Sequence, residues 1–525
     1  GPNYQENGNN CQWAMRTDGG SFWVAARVQD TAGNWSTISD SSVASTNQLA
    51  LKSAKVEIVG TKKSAFFDRL VSEIGDINND GFGDFAVGGF LTSGFCIIYG
   101  SAQPTNIADL QIDPATTPDG PNYQCIIDAT STRLGYPARN VGDVDGDGLQ
   151  DLGVPAAKPQ TEVRIYKGVN TGKISGTPML TITNYNDSGP FKDFAGRGNF
   201  NGDTSTSGNP IGDILVGSRL DDEIYIIPGA ESWAQATLDL SSAADRTAFG
   251  VITVQMTDVV GAGADFGAHV DFVGDMLLDS GSGPYDDILI GASEPIGGTQ
   301  AVVIRGRDTQ DLGPDPILLV SYDHSKTSDA SYEDATSVRI MSDGSSDSFA
   351  TECISHVDVD EDGIDDVILG HSKSPIKVIY MFKGKSIRNA EGGTLTLNAG
   401  TTPVADECYK STHGTAWESG VDHIASIGNF DMEDTGGSGQ STDFAYLVKS
   451  ASSNGSVFIR LNTDDSGDFP AGTYPWTNLV LTDPEIPGNT KFGNFDVRGI
   501  GDFNGDKMPD IAVGTNGSGR TYIFY

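Results

Sequence analysis

Four segments of the chain place oxygen-bearing side chains at positions 1, 3, 5 and 9, a spacing that can surround one cation. These side chains are Asp76, Asn78, Asp80 and Asp84; Asp143, Asp145, Asp147 and Asp151; Asp358, Asp360, Asp362 and Asp366; and Asp502, Asn504, Asp506 and Asp510. Position 7 can add a backbone carbonyl oxygen, from Phe82, Leu149, Ile364 and Met508. Ca²⁺ takes about six to eight oxygen ligands in a flexible geometry, whereas Mg²⁺ tends to keep its waters. The spacing therefore predicts four calcium-binding loops.

The residues after position 9 distinguish these loops from EF-hands. An EF-hand closes on a bidentate Glu at its last position. Here the equivalent residues are Val87, Val154, Leu369 and Val513. Short β-branched runs follow each loop and are typical of strands. Each unit is therefore predicted to be a strand, a cation loop and a second strand. Plain Asp/Asn/Gly turns are the alternative for any single loop, and the fourfold repetition favours the cation.

Three further segments follow the same pattern less closely. Their candidate ligands are Asn199, Asn201, Asp203 and Asp213; Asp275, Asp279 and Asp287; and Asn429, Asp431, Glu433 and Asp443. Inserted residues separate the closing Asp from the rest of each loop. The sequence thus predicts four calcium sites from close matches and up to seven in all.

The loops recur along most of the chain and predict its architecture. They begin at residues 76, 143, 199, 275, 358, 429 and 502. Each unit carries a strand after the loop, a further strand that is often rich in aromatic residues, and room for two more. Repetition of four-stranded units at this period predicts an all-β chain folded as a seven-bladed β-propeller.

Short motifs around the loops resemble the FG-GAP repeats of the integrin α-subunit propeller and its bacterial relatives. Phe-Gly pairs precede loops at 249–250, 266–267 and 492–493, and small-residue runs follow them at 86–89, 289–292 and 512–515. The resemblance covers about residues 50–525. It implies that Ca²⁺ binds in the loop between the first two strands of a blade, on one face of the ring. The chain contains no Arg-Gly-Asp motif.

Two parts of the chain are predicted, residues 1–48 and residues 49–525. The first carries Trp13, Trp23 and Trp35 and no Asp loop. It resembles the last hairpin of Ig-like modules in bacterial surface proteins, as a domain remnant or a linker. The second is the propeller. Its last unit ends after a third strand, so residues 51–59 are expected to supply the fourth strand and close the ring.

Charge and cysteine content limit the partners and the compartment. The net charge of −38 argues against nucleic acid and against anionic membrane surfaces as partners. No apolar run is long enough to predict a membrane span. Cys96 and Cys125 are predicted on neighbouring strands, within disulfide range. Cys353 and Cys408 form a second candidate pair, and free buried cysteines are the alternative.

The sequence favours a binding protein over an enzyme. It contains no zinc-binding His/Cys pattern, no nucleophile elbow and no phosphate-binding loop, and its Lys and Arg residues are scattered. The leading hypothesis is a calcium-stabilised, secreted or cell-surface recognition module that binds a glycan or protein ligand through long segments between strands. The alternatives are a structural or partner-docking head of a larger surface protein and, less favoured, a propeller-type polysaccharide lyase. The long segments are 101–125, 228–262, 305–348 and 384–420.

Overall fold

The computed structural model describes most of the strands together with many of the loops between them. The described residues are 70–88, 93–102, 119–131, 133–135, 137–157, 161–185, 194–257, 266–277, 285–292, 300–307, 337–341, 349–358, 362–371, 377–390, 421–429, 443–448, 456–460, 492–515 and 520–524, with isolated strands at 5–7, 11–18, 21–28, 39–42, 56–60, 110–112, 317–320, 394–396, 407–411 and 479–481.

Nearly all regular secondary-structure elements of the described residues are strands. In the first half these are β1 Gln5–Asn7, β2 Cys11–Asp18, β3 Ser21–Val28, β4 Ser39–Ser42, β5 Val56–Gly60, β6 Leu70–Gly75, β7 Asp84–Gly88, β8 Gly94–Ile98, β9 Leu110–Ile112, β10 Tyr123–Ile127, β11 Arg139–Gly142, β12 Asp151–Ala156, β13 Glu162–Tyr166, β14 Leu180–Thr183, β15 Phe194–Gly198, β16 Asp213–Ser218, β17 Glu223–Ile227, β18 Thr237–Asp239, helix α1 Ala243–Phe249 and β19 Ile252–Thr257.

The second half continues in the same way. Its elements are β20 Phe266–Phe272, β21 Ile288–Ala292, β22 Gln300–Ile304, β23 Ile317–Val320, β24 Ser337–Met341, β25 Phe349–Val357, β26 Asp366–His371, β27 Lys377–Phe382, helix α2 Gly384–Asn389, β28 Thr394–Thr396, β29 Glu407–Ser411, β30 Val421–Gly428, β31 Asp443–Val448, β32 Ser456–Arg460, β33 Leu479–Leu481, β34 Phe492–Gly499, β35 Ile511–Thr515 and β36 Arg520–Phe524. Within the described residues, neither helix is long and apolar enough to cross a membrane.

The N-terminal strands form a separate sheet in the order β1-β2-β3-β4. Its central hairpin joins β2 to β3 in a continuous antiparallel register from Cys11 opposite Val28 to Asp18 opposite Ser21. The aromatic and β-branched residues of β3 favour extended backbone. The described residues of the segment at 1–48 are thus all in strands.

The remaining described strands form sheets of four or five strands. The first strand of each sheet leads into one of the repeated acidic loops. Their orders are β6-β7-β8-β10, β11-β12-β13-β14-β18, β15-β16-β17-β19-β23, β20-β21-β22-β24-β28, β25-β26-β27-β29, β30-β31-β32-β33 and β34-β35-β36-β5-β9. Where a fifth strand is present, it pairs parallel to the fourth. The first four strands of each sheet pair antiparallel, as in a propeller blade.

The sheets pack face to face around a common centre, and the fold is a β-propeller. The first strands contact one another in cyclic order, from β6 through β11, β15, β20, β25, β30 and β34 and back to β6. Each second strand lies between two neighbouring sheets. All five residues of β7 and all six of β12 are consequently buried. The sequences of these strands are therefore mostly apolar, without the alternation of apolar and polar residues that is typical of a half-exposed sheet.

The sheet that begins with β34 joins the two ends of the propeller. Strand β5 pairs antiparallel with β36, with Glu57 opposite Tyr522 and Ile58 opposite Thr521. Strand β9 then adds in parallel to β5. Of the segment expected to close the ring, residues 51–55 lie outside the described part. Since β36 would otherwise present an unpaired edge, β5 completes this sheet.

The cysteines differ in their surroundings. Cys96 of β8 lies opposite Cys125 of β10, and a disulfide joins them. Cys353 lies on β25 and Cys408 on β29, with β26 and β27 between them. Three interstrand steps of about 4.8 Å separate the two by roughly 14 Å, whereas a disulfide needs Cα atoms within about 7 Å. The second candidate pair is therefore wrong, because flanking one repeat does not make two residues neighbours.

Candidate metal centre

Each acidic loop joins the first strand of a sheet to the second. Residues 76–83 link β6 to β7, and residues 143–150 link β11 to β12. The closing Asp84 and Asp151 are the first residues of those second strands. Because the connection is the same in successive sheets, the loops share one face of the propeller.

The loop wraps around the aspartate at position 1, whose carboxylate accepts hydrogen bonds from the loop backbone. The two carboxylate oxygens of Asp143 accept hydrogen bonds from the backbone N–H groups of Asp147, at 3.0 Å, and Gly148, at 2.6 Å. Asp76 and Asp358 make the equivalent pairs of bonds in their own loops. Gly148 has φ of +90°, a conformation that a glycine adopts without steric cost.

The closing aspartate ties the loop to the rest of its sheet. Asp151 is fully buried. Its Oδ2 accepts from Val144 N at 3.0 Å, and its Oδ1 accepts from Gly168 N at 2.9 Å. The glycine donor lies two residues beyond the third strand, and its equivalents in other sheets are Gly100, Gly229, Gly306 and Gly384. These glycines were missed in the sequence, although the third strand is followed by a glycine at a constant offset.

Burial has a direct electrostatic consequence at the closing position. Desolvation raises the pKa of Asp84, Asp151, Asp213 and Asp510 to about 8, against the ordinary value of 3.8. Nearby loop carboxylates raise it further. A cation at the loop would favour the charged form of these groups, since an opposite charge within a few ångströms stabilises a carboxylate.

The acidic groups of the second loop, all of them among the described residues, lie close together. Oxygen atoms of Asp143, Asp145 and Asp151 lie within 4.8 Å of one another. Asp145 is buried, and within the described residues its Oδ1 has no hydrogen-bond partner. The ammonium group of Lys167 contacts Asp145 and lies 2.9 Å from Asp147 Oδ2. Three convergent carboxylates and one unpartnered oxygen fit a hard cation such as Ca²⁺.

The first and seventh loops have an asparagine at position 3. Asn78 Nδ2 donates to Asp80 Oδ2 at 3.0 Å, and Asn504 Nδ2 donates to Asp506 Oδ2 at 3.1 Å. In both loops the amide oxygen accepts a backbone N–H. In both loops the side chains at positions 3 and 5 are therefore hydrogen-bonded to one another. In the fifth loop, Asp360 lies outside the described residues.

The three looser loops differ from the close matches. In the third, Asn199 Nδ2 donates to the backbone oxygen of Asp203, and a bridge between Thr204 and Pro210 orders the insert. Among the described residues, Asp203 Oδ1 in the third loop, Asp275 Oδ1 in the fourth and Asp510 Oδ1 in the seventh are also buried without a hydrogen-bond partner. The fourth and sixth loops close on the buried Asp287 and Asp443. Their remaining candidates, Asp279, Asp431 and Glu433, lie outside the described residues.

A second set of glycines was also missed in the sequence. The residue before position 1 is Gly75, Gly142, Gly274, Gly428 or Gly501 in five of the loops, with φ between +61° and +77°. A side chain there would be strained. At Gly75, an added Cβ would also lie 1.8 Å from Gln150 Oε1. The repeated Gly-Asp or Gly-Asn pair is the sequence signal for this turn.

Comparisons with known proteins assign neither a family nor a function to the chain. No family model and no curated protein matches the chain. Among solved structures it is similar to Drosophila semaphorin 1a extracellular domains 1–2, at 10% identity over 88% of this chain and 87% of that one, with a TM-score of 0.40. It is also similar to BBS1N in complex with ARL6DN, at 8% identity over 90% and 96%, with a TM-score of 0.41. An exotype rhamnogalacturonan lyase, YesX, matches at 12% identity over 96% and 80%, with a TM-score of 0.39. At these values the similarities carry no functional assignment.

Proposed function

We propose that the chain is a calcium-stabilised, extracellular recognition module that binds a glycan or protein ligand. The observation that carries this proposal is the second loop, where Asp143, Asp145 and Asp151 converge around an unpartnered carboxylate oxygen. The motif spacing repeats this arrangement in other loops, as in FG-GAP propellers. We further propose that the ring has seven blades, one for each sheet whose first strand takes part in the cyclic contacts.

The ligand set favours Ca²⁺ over other metals. The loop side chains are carboxylates and carboxamides, which suit hard cations, and they include no His or Cys. Four bound Ca²⁺ ions would reduce the net charge from −38 to about −30, relieving repulsion in the compact state. Calcium loops of extracellular modules bind with Kd values of about 10⁻⁴–10⁻³ M. We propose the same range here, and with it a secreted or cell-surface location.

The proposed role of calcium is to hold one face of the ring rigid. Each loop fixes the junction of two strands, and the closing aspartate also binds the glycine beyond the third strand. Rigid scaffolds present binding segments at low entropic cost. The longer segments between outer strands are where we place the ligand surface.

A binding array tests this proposal. The full chain is applied to arrayed glycans and matrix proteins in millimolar Ca²⁺ and again in EDTA. Specific binding that disappears in EDTA supports a calcium-dependent recognition module and gives the ligand class. Binding that persists unchanged in EDTA contradicts the role of calcium. A blank array contradicts ligand recognition and favours the structural or partner-docking alternative.

A further inference from the structure

The acidic loops of neighbouring sheets are hydrogen-bonded to one another. In the seventh loop, the backbone carbonyl of Phe503 accepts from Ser101 N at 3.0 Å. Ser101 directly follows Gly100, whose own N–H donates to the closing Asp84 of the first loop. The residues that hold the first loop therefore also bond to the seventh loop, which precedes it in the ring.

The same connection joins the first loop to the second. The Oδ2 atom of Asp84 accepts from Ile77 N at 3.0 Å. The carbonyl of Ile77 accepts from Val169 N at 3.0 Å, and Val169 directly follows Gly168, which donates to the closing Asp151. Hydrogen bonds between adjacent backbone groups thus connect the seventh, first and second loops without interruption.

The connection continues beyond the second loop. The carbonyl of Val144, at position 2, accepts from Ala230 N at 3.0 Å, and the carbonyl of Phe200 in the third loop accepts from Arg307 N at 2.8 Å. Each donor directly follows the glycine that holds the closing aspartate of the next loop. The junctions from the seventh loop through the first, second and third to the fourth therefore have one construction, and the first of them joins the last sheet to the first.

A second set of bonds links the loops through position 1. Gly83, the residue before the closing aspartate, donates its backbone N–H to the carbonyl of Asp502 in the seventh loop at 2.9 Å. The equivalent bonds are Gly212 N to Asp143 O, at 2.7 Å, and Asp286 N to Asn199 O, at 2.9 Å. Because position 1 supplies a proposed cation ligand, the backbone of that ligand residue is also an acceptor for the next loop.

Side chains pack across the same junctions. Position 4 of the seventh loop is Gly505, with φ of +78°, and a Cβ there would lie 2.4 Å from the ring of Phe82 in the first loop. Position 4 of the second loop is Gly146, where a Cβ would lie 3.1 Å from the side chain of Ile211 in the third loop. A glycine at position 4 therefore lets the next loop pack against the backbone that surrounds the cation site.

A bound cation changes the order of this shared backbone. Without it, the carboxylates that converge in a loop repel one another. Bound Ca²⁺ removes this repulsion and fixes the positions of the residues that carry its ligands. The carbonyls at positions 1 and 2 are then held in place for the donors of the next loop. A second site whose ordering cost is already partly met binds its ligand more tightly.

We propose that calcium binding is positively cooperative between neighbouring loops, and that this coupling crosses the junction between the last sheet and the first. The inference rests on the proposed calcium binding and adds how the sites act together. The seventh, first and second loops are consecutive in the ring, and all three match the spacing closely. Their common face becomes rigid over a narrow range of calcium concentration, so ligand recognition acquires a calcium threshold.

Hydrogen exchange of the full chain, measured by mass spectrometry over a series of free Ca²⁺ concentrations, tests the coupling because it reports on each loop separately. The peptides of interest cover residues 76–84, 143–151, 358–366 and 502–510. In the parent, the seventh, first and second loops should gain protection over the same calcium range. Their curves should be steeper than that of a single independent site.

Two matched double variants separate coupling from the loss of one site. Asp76→Asn with Asp80→Asn weakens the first loop. Asp358→Asn with Asp362→Asn makes the same changes in the fifth loop, where position 1 forms the equivalent backbone bonds. The first-loop variant should raise the calcium midpoint of the seventh and second loops at least about fivefold, the lower end of typical coupling between sites. The fifth-loop variant should leave both midpoints at the parental value, since the fifth loop is not their neighbour.

Each outcome bears on a different claim. Parental midpoints at the seventh and second loops in the first-loop variant overturn the coupling and leave the proposed calcium binding intact. Equal shifts in both double variants also overturn it, because the effect then acts through overall stability and not between neighbours. If no loop of the parent gains protection at extracellular calcium concentrations, the proposed calcium binding is itself wrong, and the coupling with it.

Discussion

Replacing Asp151 with Asn should cost more stability in calcium than in EDTA. Without metal, burial raises the pKa of Asp151 to about 8, so most molecules carry the neutral acid at pH 7. Asn has the same shape and is also neutral. Val144 N and Gly168 N donate to different oxygens of Asp151, and the single oxygen of Asn can accept from only one of them. The unfolding free energy in EDTA should therefore fall by about 1–3 kcal/mol for the one N–H left unpaired.

Calcium should increase the cost of this substitution. A site whose Kd lies about a hundredfold below the free calcium concentration stabilises the folded state by roughly 2.7 kcal/mol. The Asp151→Asn substitution would remove one of three convergent carboxylates. If the Kd then rises to the ambient concentration, only about 0.4 kcal/mol remains. The variant should therefore lose roughly 2 kcal/mol more in calcium than in EDTA.

Urea unfolding of the parent, Asp151→Asn and Asp151→Ala at pH 7 measures the difference. The alanine variant leaves two buried N–H groups unpaired, at about 1–3 kcal/mol each, so it should be destabilised with or without calcium. An Asp151→Asn variant that loses equal stability in both conditions would refute the argument, because Asp151 would then serve only as an acceptor for the backbone.

Three further predictions concern pH, ring closure and the disulfide. In EDTA the closing aspartates bind more protons in the folded state than in the unfolded state, so the melting temperature should fall from about pH 5 to about pH 9 and saturating calcium should remove much of this slope; a flat EDTA profile contradicts the raised pKa values. Deleting residues 50–60 should sharply lower the melting temperature because β36 loses its partner, whereas deleting residues 1–48 should have a smaller effect; equal melts would sink the closure argument. The loop closed by Cys96 and Cys125 spans 29 residues, so reduction should lower the unfolding free energy by about 3 kcal/mol; identical urea curves with and without reductant would contradict this.

The β-propeller could be predicted from the sequence because its signals are local and repeated. An acidic loop followed by a buried strand such as Asp84–Gly88 recurs in each unit, and each recurrence supports the others. The parallel fifth strands, such as β9 against β5, were not predicted. They are short, and their pairing is set by contacts with a neighbouring repeat rather than by their own pattern.

The candidate sites were predictable only in part. The acidic residues of the loops follow from spacing, but the donors that hold the closing aspartates, such as Gly168 N, come from beyond the third strand. That oxygen atoms of Asp143, Asp145 and Asp151 lie within 4.8 Å of one another depends on how the loop folds, which the spacing alone does not give.

Sequence spacing could not predict that three arginines line one cavity among the first strands of the propeller. Arg139, Arg197 and Arg498 lie on three different first strands. Arg139 and Arg498 lie in strands, and no motif around them predicts a binding site. The third, Arg197, has a left-handed backbone conformation, and no local sequence motif predicts it. Only closure of the ring brings these residues to one place.

The measurement that tests the account most directly is the number of Ca²⁺ ions bound by each chain. Equilibrium dialysis at neutral pH, with Mg²⁺ present as a competitor, gives this number. We predict at least four bound Ca²⁺ ions per chain at extracellular calcium concentrations, and about half an ion fewer in the Asp151→Asn variant if its Kd rises to the ambient concentration. A parent chain that binds no Ca²⁺ at extracellular concentrations would contradict the account.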